Sequence, residues 1–488
     1  MSNAPDTTEQ ENRSVLRRVL IAGGLGTLLE YFDYASYSYL ATTIAVVFFA
    51  SEDRTVALMS TFAVFALAFL VRPIGAFVWG SLGDRVGRKT ILSTTILLMS
   101  GSTFLIGFLP GYATIGVLAP ILLLLLRMTQ SFAASGEYAG AGTFIAEYAP
   151  PHRRGLLTSV VPLGSAAGFL LASLMATVFY ATMSPEFLHS WGWRIPFLIA
   201  GPLGILGLWL RTRLEDTPQF RHVQELERQQ REVDAAERAA LSRAHRWAEV
   251  RRSLPSMLKV LLVMSLNAGA YYLLLSYTPT FLIEQAHMSE ASSNLVVTIS
   301  LVAYLVIIPV IAHFSDRFGR KRTLLVSSIA FIVLSYPMMS LFTRGGVLLA
   351  TTVLIVGLIF FAMNDAVFPS FFTEMFGTRS RYLGFALPFN VGALLFGGVA
   401  PLIGTWLIAV TGNSSAPAFF LIFVGVLSLI GLLLSRETAY RTGRCPERGR
   451  QASRPVRLRA LRPPSRAAVR RSEGSVWNDE RANTSFRL

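Results

Sequence analysis

Four ionisable side chains interrupt long apolar stretches of this sequence: Glu30, Asp33, Arg127 and Asp365. A charge inside such a stretch is costly unless it is paired or faces water, so these residues mark possible ion or substrate pathways. Glu30 and Asp33 are three residues apart, which places them on one face of a helix. A carboxylate can exchange a proton, whereas an arginine stays charged and can bind a carboxylate through two N–H groups. We therefore predict Asp33 or Glu30 as a proton site and Arg127 as an anion anchor.

The depths of Asp33 and Arg127 leave two interpretations open. At about 1.5 Å per residue, Asp33 lies roughly 22 Å beyond Arg18, and Arg127 lies roughly 21 Å into its own stretch from the opposite side. Both depths fall loosely near the middle of a hydrocarbon core about 30 Å thick. The pair either forms part of a transport site or only ties two helices together.

Polar and aromatic residues in other apolar stretches extend this candidate site. Asn364 and Asp365 are adjacent, and an unpaired Asp365 would be costly unless it faces a cavity. We predict that they contact the substrate or the proton, with a gate role for Asp365 as the alternative. The candidate lining residues are Tyr34, Asn267, Tyr271, Tyr272 and Asn390. Tyrosine rings can hold a quaternary ammonium by cation–π attraction, although helix packing explains any single tyrosine more simply.

A basic, glycine-bearing turn occurs twice in the chain. GSLGDRVGRK at 80–89 recurs as AHFSDRFGRK at 312–321, each time between two apolar runs. A second correspondence relates EYAPPHRRG at 147–155 to EMFGTRSRYLG at 374–384, because both place a glutamate seven residues before an arginine. An offset close to half of the chain indicates two related halves. Two parallel six-helix halves with a substrate site between them are typical of a transporter.

Charged residues at these turns are candidates for a cytoplasmic gate. We predict a charge network that closes this side and breaks when the carrier opens inward, with a purely topological role for the basic loops as the alternative. Arg72 is assigned to the same corner. The predicted gate residues are Gly83, Asp84, Arg85, Gly87, Arg88, Glu137, Asp316, Arg317, Arg320 and Glu374.

The candidate residues lie within or between twelve long apolar runs. Because each run is long enough to span a membrane as a helix, we predict an all-α membrane protein with twelve transmembrane helices in two pseudo-symmetric halves. Lysine and arginine cluster in alternate loops and at Arg17 and Arg18, so both termini are predicted to be cytoplasmic. The predicted segments are an N-terminal lead (1–18), a first half (19–211), a linker (212–255), a second half (256–435) and a disordered Arg-rich tail (436–488).

The composition excludes several classes of function. The 488 residues are 52% apolar and only 15% charged, unlike a soluble domain. Fourteen arginines lie from Arg436 onward, so much of the net charge of +15 belongs to the tail and does not indicate nucleic-acid binding. The single cysteine, Cys445, excludes an intramolecular disulfide and a cysteine-based metal site. Because phosphate-binding, metal and nucleophile motifs are missing, we predict a non-enzyme without a cofactor.

The repeated turn resembles the loop between the second and third helices of the major facilitator superfamily. Further segments are similar to its metabolite:proton symporter family, especially proline/betaine-type sequences. They are LLEYFDYASYSYLA (28–41), FLVRPIGA (69–76), RMTQSFAASGEYAGAGTFIAEYAPPHRRG (127–155), SWGWRIPFLIAGPLGILGLWLRTRLEDTPQF (190–220), NAGAYYLLLSYTPTFL (267–282) and LFGGVAPLIGTWLI (395–408). The resemblance implies proton-coupled import of a small polar metabolite across the cell membrane, such as proline or glycine betaine. We further predict that the carrier works as a monomer.

Other functions remain compatible with the residues alone. Within transporters, the alternatives are a symporter of an organic acid (2-oxoglutarate, citrate or shikimate) and a proton-coupled exporter. A membrane sensor would bind ligand without flux, and a tethered interaction protein would depend on the arginine-rich tail. That tail is a regulatory segment, a lipid-binding patch or the product of an altered reading frame.

Overall fold

The computed structural model describes residues 5–86, 88–215, 243–376 and 381–439, in which all regular elements are helical. The first half contains α1 (Pro5–Tyr39, continued by Ala41–Phe48), α2 (Arg54–Ala68 and Arg72–Val86, joined by the 3-10 turn Phe69–Val71), α3 (Arg88–Ile106), α4 (Leu118–Ala134 and Glu137–Tyr148), α5 (Arg154–Thr158 and Val160–Thr182) and α6 (Ile195–Glu215). Short helices at Tyr112–Ile115 and Pro185–Ser190 lie in its connections.

The second half repeats the six-helix plan. It contains α7 (Arg243–Tyr271, the π-helical segment Tyr272–Tyr277 and Thr278–Gln285), α8 (Glu290–Phe318), α9 (Arg320–Phe342), α10 (Val347–Asp365 and Phe368–Met375), α11 (Arg381–Gly392, the π-helical segment Ala393–Gly397 and Ala400–Thr411) and α12 (Pro417–Leu433). Each predicted apolar run corresponds to one of these twelve helices, so the predicted fold class is confirmed.

The helices have the apolar outer surface that a bilayer requires. Within the described ranges, nine helical stretches are long and apolar enough to cross a membrane. Phe77, Val306 and Leu348 are 66%, 65% and 82% exposed, which suits contact with lipid and would be unfavourable in water. Helices dominate because hydrocarbon offers no hydrogen-bond partners to the backbone, and a helix satisfies its own N–H and C=O groups.

Tight packing between α1 and α5 fixes the helix that carries Glu30 and Asp33. A methyl group added at Gly168 would lie 2.7 Å from the backbone nitrogen of Phe32 and would also collide with the carbonyl oxygen of Leu28. Only glycine allows the two backbones to approach this closely, as small residues do at membrane helix interfaces. The acidic face of α1 is therefore held against the rest of the first half.

Interruptions of helical geometry surround the centre of the molecule. The 3-10 turn of α2 ends next to Arg72, α10 is interrupted immediately after Asp365, and α7 and α11 each contain a π-helical segment. Irregular helices at membrane depth are tolerated where they line a cavity or are buried in protein. These interruptions therefore indicate where a binding site can form.

Some predicted boundaries fall differently in the structure. Helix α1 begins at Pro5, within the predicted lead, and α7 begins at Arg243, within the predicted linker. Residues 216–242 of the linker and 440–488 of the tail lie outside the described residues, so their predicted character stays a prediction.

Candidate transport site

A small cavity lies between the two halves, where these helix interruptions meet. Its volume is about 10 Å³, room for about one water molecule. The first half contributes Tyr31, Arg72 and Tyr138, and the second contributes Met264, Asn267, Ala268, Tyr271, Tyr272, Asp365, Phe389 and Ala393. The cavity therefore combines one arginine, one aspartate and several aromatic rings.

The basic group of the cavity is Arg72, which forms a buried ion pair with Glu30. Its Nη2 lies 2.8 Å from Glu30 Oε1, and the two side chains are 1% and 0% exposed. Glu30 Oε2 is also buried and has no hydrogen-bond partner in the described structure. The pair is strongly held because losing one member would leave an uncompensated buried charge.

Arg72 also joins the two halves of the molecule. Its Nε donates to Asn390 Oδ1 of α11 at 3.1 Å, and Nη1 donates to Tyr34 of α1 at 3.4 Å. Asn390 in turn donates to the carbonyl oxygen of Ser135 in the first half. The assignment of Arg72 to the cytoplasmic corner was therefore wrong. Its place 16 residues after the start of the apolar run at 56–79 is the sequence signal that indicates a buried role.

Asp33 and Arg127 are joined through neutral side chains and not as a direct ion pair in the described structure. Arg127 donates to Gln130, Gln130 donates to Thr103, and Thr103 donates to Asp33. Asp33 Oδ1 and two nitrogens of Arg127, Nε and Nη2, are buried without a hydrogen-bond partner. The direct Asp33–Arg127 pair, on which the interpretation as a tie between two helices rests, is not present among the described residues.

Aromatic rings lie between Arg127 and the cavity. Its guanidinium carbon lies 4.3 Å from the ring centre of Tyr37, and the rings of Tyr34 and Phe65 are also within 5.5 Å. Phe65 packs in turn against Tyr272 of the cavity wall. Arg127 does not line the cavity, so a substrate could reach it only if these rings move.

The acidic group of the cavity is Asp365, which has no basic partner within the described residues. Its Oδ1 accepts from Asn267 at 3.1 Å and its Oδ2 accepts from Tyr304 at 2.7 Å. The neighbouring Asn364 is buried, and neither polar atom of its amide finds a partner in the described structure. Asp365 thus remains stabilised by neutral donors and available to a cation.

The aromatic residues form a wall around the space between Arg72 and Asp365. Tyr31 lies 5.9 Å from Tyr138 and 5.3 Å from Tyr271, measured between ring centres. Tyr138 stacks on Phe389 at 4.7 Å. Of these rings, only Tyr271 belongs to the predicted site. The sequence does not single out Tyr138, because it does not show which side of α4 faces the second half.

Contacts between the halves also bridge the face that carries the repeated turn, which we call the basic face. Asp316 accepts from the backbone nitrogens of Gly155 and Leu156, both at 2.9 Å. Arg154 lies 3.5 Å from Glu374, and Arg320 lies between Asp316 and Glu374 at 2.7 and 3.5 Å. The structure thus brings Asp316, Arg320 and Glu374 together, whereas Arg317 is exposed.

Other predicted gate residues are only partly described. Glu137 is buried, and its carboxylate lies against Gly26, one turn of α1 before Glu30. The structure does not describe Gly87 or the side chains of Asp84, Arg85 and Arg88. Gly83 lies in the same stretch, and its surroundings are not described either. Their gate role stays a prediction.

Contacts between the halves occur on the opposite face as well. Arg54 Nη2 lies 2.7 Å from Glu284 Oε1, which links the start of α2 to the end of α7. Thr42 donates to Glu290 at 3.3 Å. Since both faces are bridged and the cavity between them is small, this conformation resembles the occluded state of a carrier.

Comparison with known proteins agrees with this architecture. The family model described as "Sugar (and other) transporter" matches residues 19–443. The chain belongs to this transporter family. It is 38% identical to the proline/betaine transporter of Salmonella typhimurium over 430 residues, which cover 87% of this chain and 84% of the relative. It is 36% identical to the glycine betaine/proline/ectoine/pipecolic acid transporter OusA of Dickeya dadantii over 437 residues.

Solved structures give the same fold. The proton:xylose symporter XylE, a major facilitator superfamily protein from E. coli, matches with a TM-score of 0.69 at 19% identity. The match covers 88% of this chain and 97% of the symporter chain. This likeness agrees with the predicted fold, and the family match together with the 38% identical relatives confirms the predicted resemblance.

Proposed function

We propose that this protein imports a small zwitterion, such as proline or glycine betaine, together with a proton. The observation that carries the proposal is the cavity, which has a basic group on the first half, an acidic group on the second and aromatic rings between them. Relatives named as proline/betaine transporters support the same substrate class. An organic acid with two or three carboxylates would meet Asp365 as a like charge.

The second half offers a site for the cationic end of the substrate. Asp365 accepts two hydrogen bonds from neutral donors, so its charge can attract an ammonium group. A cation that meets the face of a cavity-lining ring such as Tyr271 would gain cation–π attraction, which is about 0.5–1 kcal/mol at exposed sites and 2 kcal/mol or more where water is excluded. These interactions suit a trimethylammonium group as well as the ring nitrogen of proline.

Transport would proceed by rocking of the two halves around this cavity. Breaking the Asp316 contacts would open the basic face, which we assign to the cytoplasm because arginines cluster there. Breaking the Arg54–Glu284 pair would open the opposite, external face. The whole pathway lies within one chain, so a monomer in the cell membrane suffices.

Uptake into proteoliposomes tests this function. Labelled proline and glycine betaine should accumulate when the outside is made more acidic, and unlabelled proline or glycine betaine should compete with them. The organic acids 2-oxoglutarate, citrate and shikimate should not compete. Accumulation of one of these acids in place of the zwitterions would contradict the proposal, and net efflux under the same pH gradient would instead indicate an exporter.

A further inference from the structure

Arg72 is the one basic side chain among the described residues that line the cavity, yet its guanidinium is already engaged. Its Nη2 donates to Glu30 at 2.8 Å, and its Nε donates to Asn390 at 3.1 Å. Its Nη1 donates to Tyr34 at a longer distance of 3.4 Å. A substrate carboxylate that enters the cavity can bind Arg72 in a strong two-point geometry only if one of these partners gives way. The ion pair with Glu30 is the partner that competes for the same charge.

Two carboxylates on one buried guanidinium would leave excess negative charge in a medium of low dielectric constant. Further acids make this worse for Glu30, because Glu137 and Asp33 both act on it electrostatically. The charged or titratable side chains that interact with Glu30 are Tyr31, Asp33 and Tyr34 on α1, Arg72 on α2, Glu137 and Tyr138 on α4, and Tyr272 on α7. Arg72 is the only cation in this set.

Glu30 has a free position for a proton. Its Oε2 is buried and has no hydrogen-bond partner in the described structure, whereas Oε1 holds Arg72. A proton on Oε2 would remove the charge of Glu30 without disturbing an existing hydrogen bond. The neutral acid could then leave Arg72 at a much smaller cost than a carboxylate could.

We propose that Arg72 is the anchor for the carboxylate of the substrate, and that Glu30 gives up Arg72 by accepting a proton from the external water. The inference deepens the proposed function and rests on it. No covalent bond other than O–H forms or breaks. When the substrate leaves on the other side, Glu30 releases the proton to water and pairs with Arg72 again. One arginine thereby couples one proton to one carboxylate.

The alternative anchor, Arg127, is less well placed. Its free nitrogens lie behind Tyr34, Tyr37 and Phe65, and it is not among the residues that line the cavity. Asp33 is held by Thr103 within that separate cluster. The inference therefore places the exchange of carboxylates at Arg72 and not at Arg127.

The first test needs no mutation. Calorimetry of glycine betaine binding to the purified full-length protein, repeated in buffers of different ionisation enthalpy, measures the protons that are taken up on binding. We expect uptake of about one proton per glycine betaine at mildly alkaline pH, where Glu30 of the ligand-free protein is ionised. Choline, which carries a hydroxymethyl group in place of the carboxylate, should bind through its ammonium group without proton uptake. Binding of glycine betaine with no proton uptake would overturn the inference.

Two variants locate the proton. Glu30→Gln should abolish the proton uptake on binding and the accumulation driven by a pH gradient, while exchange of labelled for unlabelled betaine continues and becomes independent of pH. Asp33→Asn should retain the proton uptake on binding. The reverse result, with uptake lost in Asp33→Asn and kept in Glu30→Gln, would assign the proton to Asp33 and overturn the inference.

A third variant tests the anchor. Arg72→Lys keeps the charge but loses the two-point geometry, so the Kd for glycine betaine should rise by about tenfold or more while the Kd for choline changes little. Equal weakening of both ligands, or of neither, would contradict the assignment of Arg72. If the wild-type protein binds and transports no zwitterion, the proposed function fails instead, which the wild-type measurements reveal before any variant is made.

Discussion

Asp316→Asn should shift the carrier toward the conformation that is open on the basic face. The carboxylate of Asp316 accepts one backbone N–H from Gly155 and one from Leu156, and both of these bonds cross between the halves. The amide that replaces it retains one acceptor oxygen and presents an NH₂ group to the other donor. The variant therefore loses one charge-assisted hydrogen bond and the negative charge that strengthens the remaining one.

The magnitude follows from these contacts. A hydrogen bond to a charged group contributes about 1.5–3 kcal/mol, and every 1.4 kcal/mol is about tenfold in an equilibrium constant. This bond forms only while the basic face is closed. Its removal by the substitution should therefore raise the ratio of open to closed molecules about 10- to 150-fold. A carrier that is nearly always closed on this face would then show a substantial open population.

Pulsed electron paramagnetic resonance can measure this population. Spin labels at Arg153→Cys on the first half and Arg322→Cys on the second, in a Cys445→Ser background, report the distance across the basic face. Both positions are exposed, so the labels should not disturb packing. We expect a longer distance component to grow in Asp316→Asn.

Asp53→Asn is the matched control. Asp53 also accepts from two backbone nitrogens, those of Thr55 and Val56, but these bonds stay within the first half and lie on the opposite face. The distance distribution across the basic face should match that of the parent protein. An unchanged distribution in Asp316→Asn, or an equal change in both variants, would refute the reasoning.

Three further predictions concern the cavity, the helix packing and the external face. Asp365→Asn should raise the KM for glycine betaine by about tenfold in uptake assays, because the ammonium loses its counter-charge and only the cation–π attraction remains; an unchanged KM would exclude Asp365 from the site. Gly168→Ala should lower the free energy of unfolding by about 1–3 kcal/mol because its methyl group collides with the backbone of α1. Its melting temperature in detergent should fall, whereas that of Gly101→Ala should not, since the added methyl group there meets no atom within 4 Å beyond the adjacent turns of its own helix. Arg54→Gln should increase the labelling of a cysteine placed at Ser38 from the external side by about two- to fivefold, because the exposed Arg54–Glu284 pair contributes at most about 1 kcal/mol; labelling that stays equal would show that this pair does not hold the face closed.

Much of the fold could be predicted because the bilayer imposes a simple requirement on each helix. A run of about 20 apolar residues has few alternatives to a transmembrane helix, and all twelve predicted runs are helices. The ends of α1 and α7 were less predictable, since a polar segment such as Arg243 onward can extend a helix without changing the hydropathy pattern. The interruption next to Asp365 likewise leaves no clear trace in composition.

The candidate site was predictable as a set of residue types but not as a set of pairs. Buried charges at Glu30, Asp33, Arg127 and Asp365 follow from their apolar surroundings. Their partners depend on the rotation of each helix and on contacts between helices that are distant in sequence. Depth along the membrane suggested that Arg127 meets Asp33, but depth does not reveal the rings of Tyr34 and Tyr37 that surround this arginine. The proximity of Arg72 to the basic turn favours a place at the cytoplasmic corner, whereas its place within an apolar run indicates the buried role that the structure shows.

The position of Tyr304, which donates to Asp365, has a counterpart in the first half. Tyr304 follows Arg72 by 232 residues, which is also the offset between Gly80 and Ala312 in the repeated turn. Equivalent positions of α2 and α8 thus carry a cation in one half and a neutral hydroxyl beside an acid in the other. After duplication, a single ancestral position would have acquired different electrical roles. Once Glu30 is protonated, the charges of Arg72 and Asp365 would give the cavity a dipole across the plane between the halves. A zwitterion would bind both halves through its two charged ends, whereas choline would bind only the second half through its ammonium group. We therefore expect some ligands to bind without being carried, because transport would select for bridging the halves and not for affinity alone.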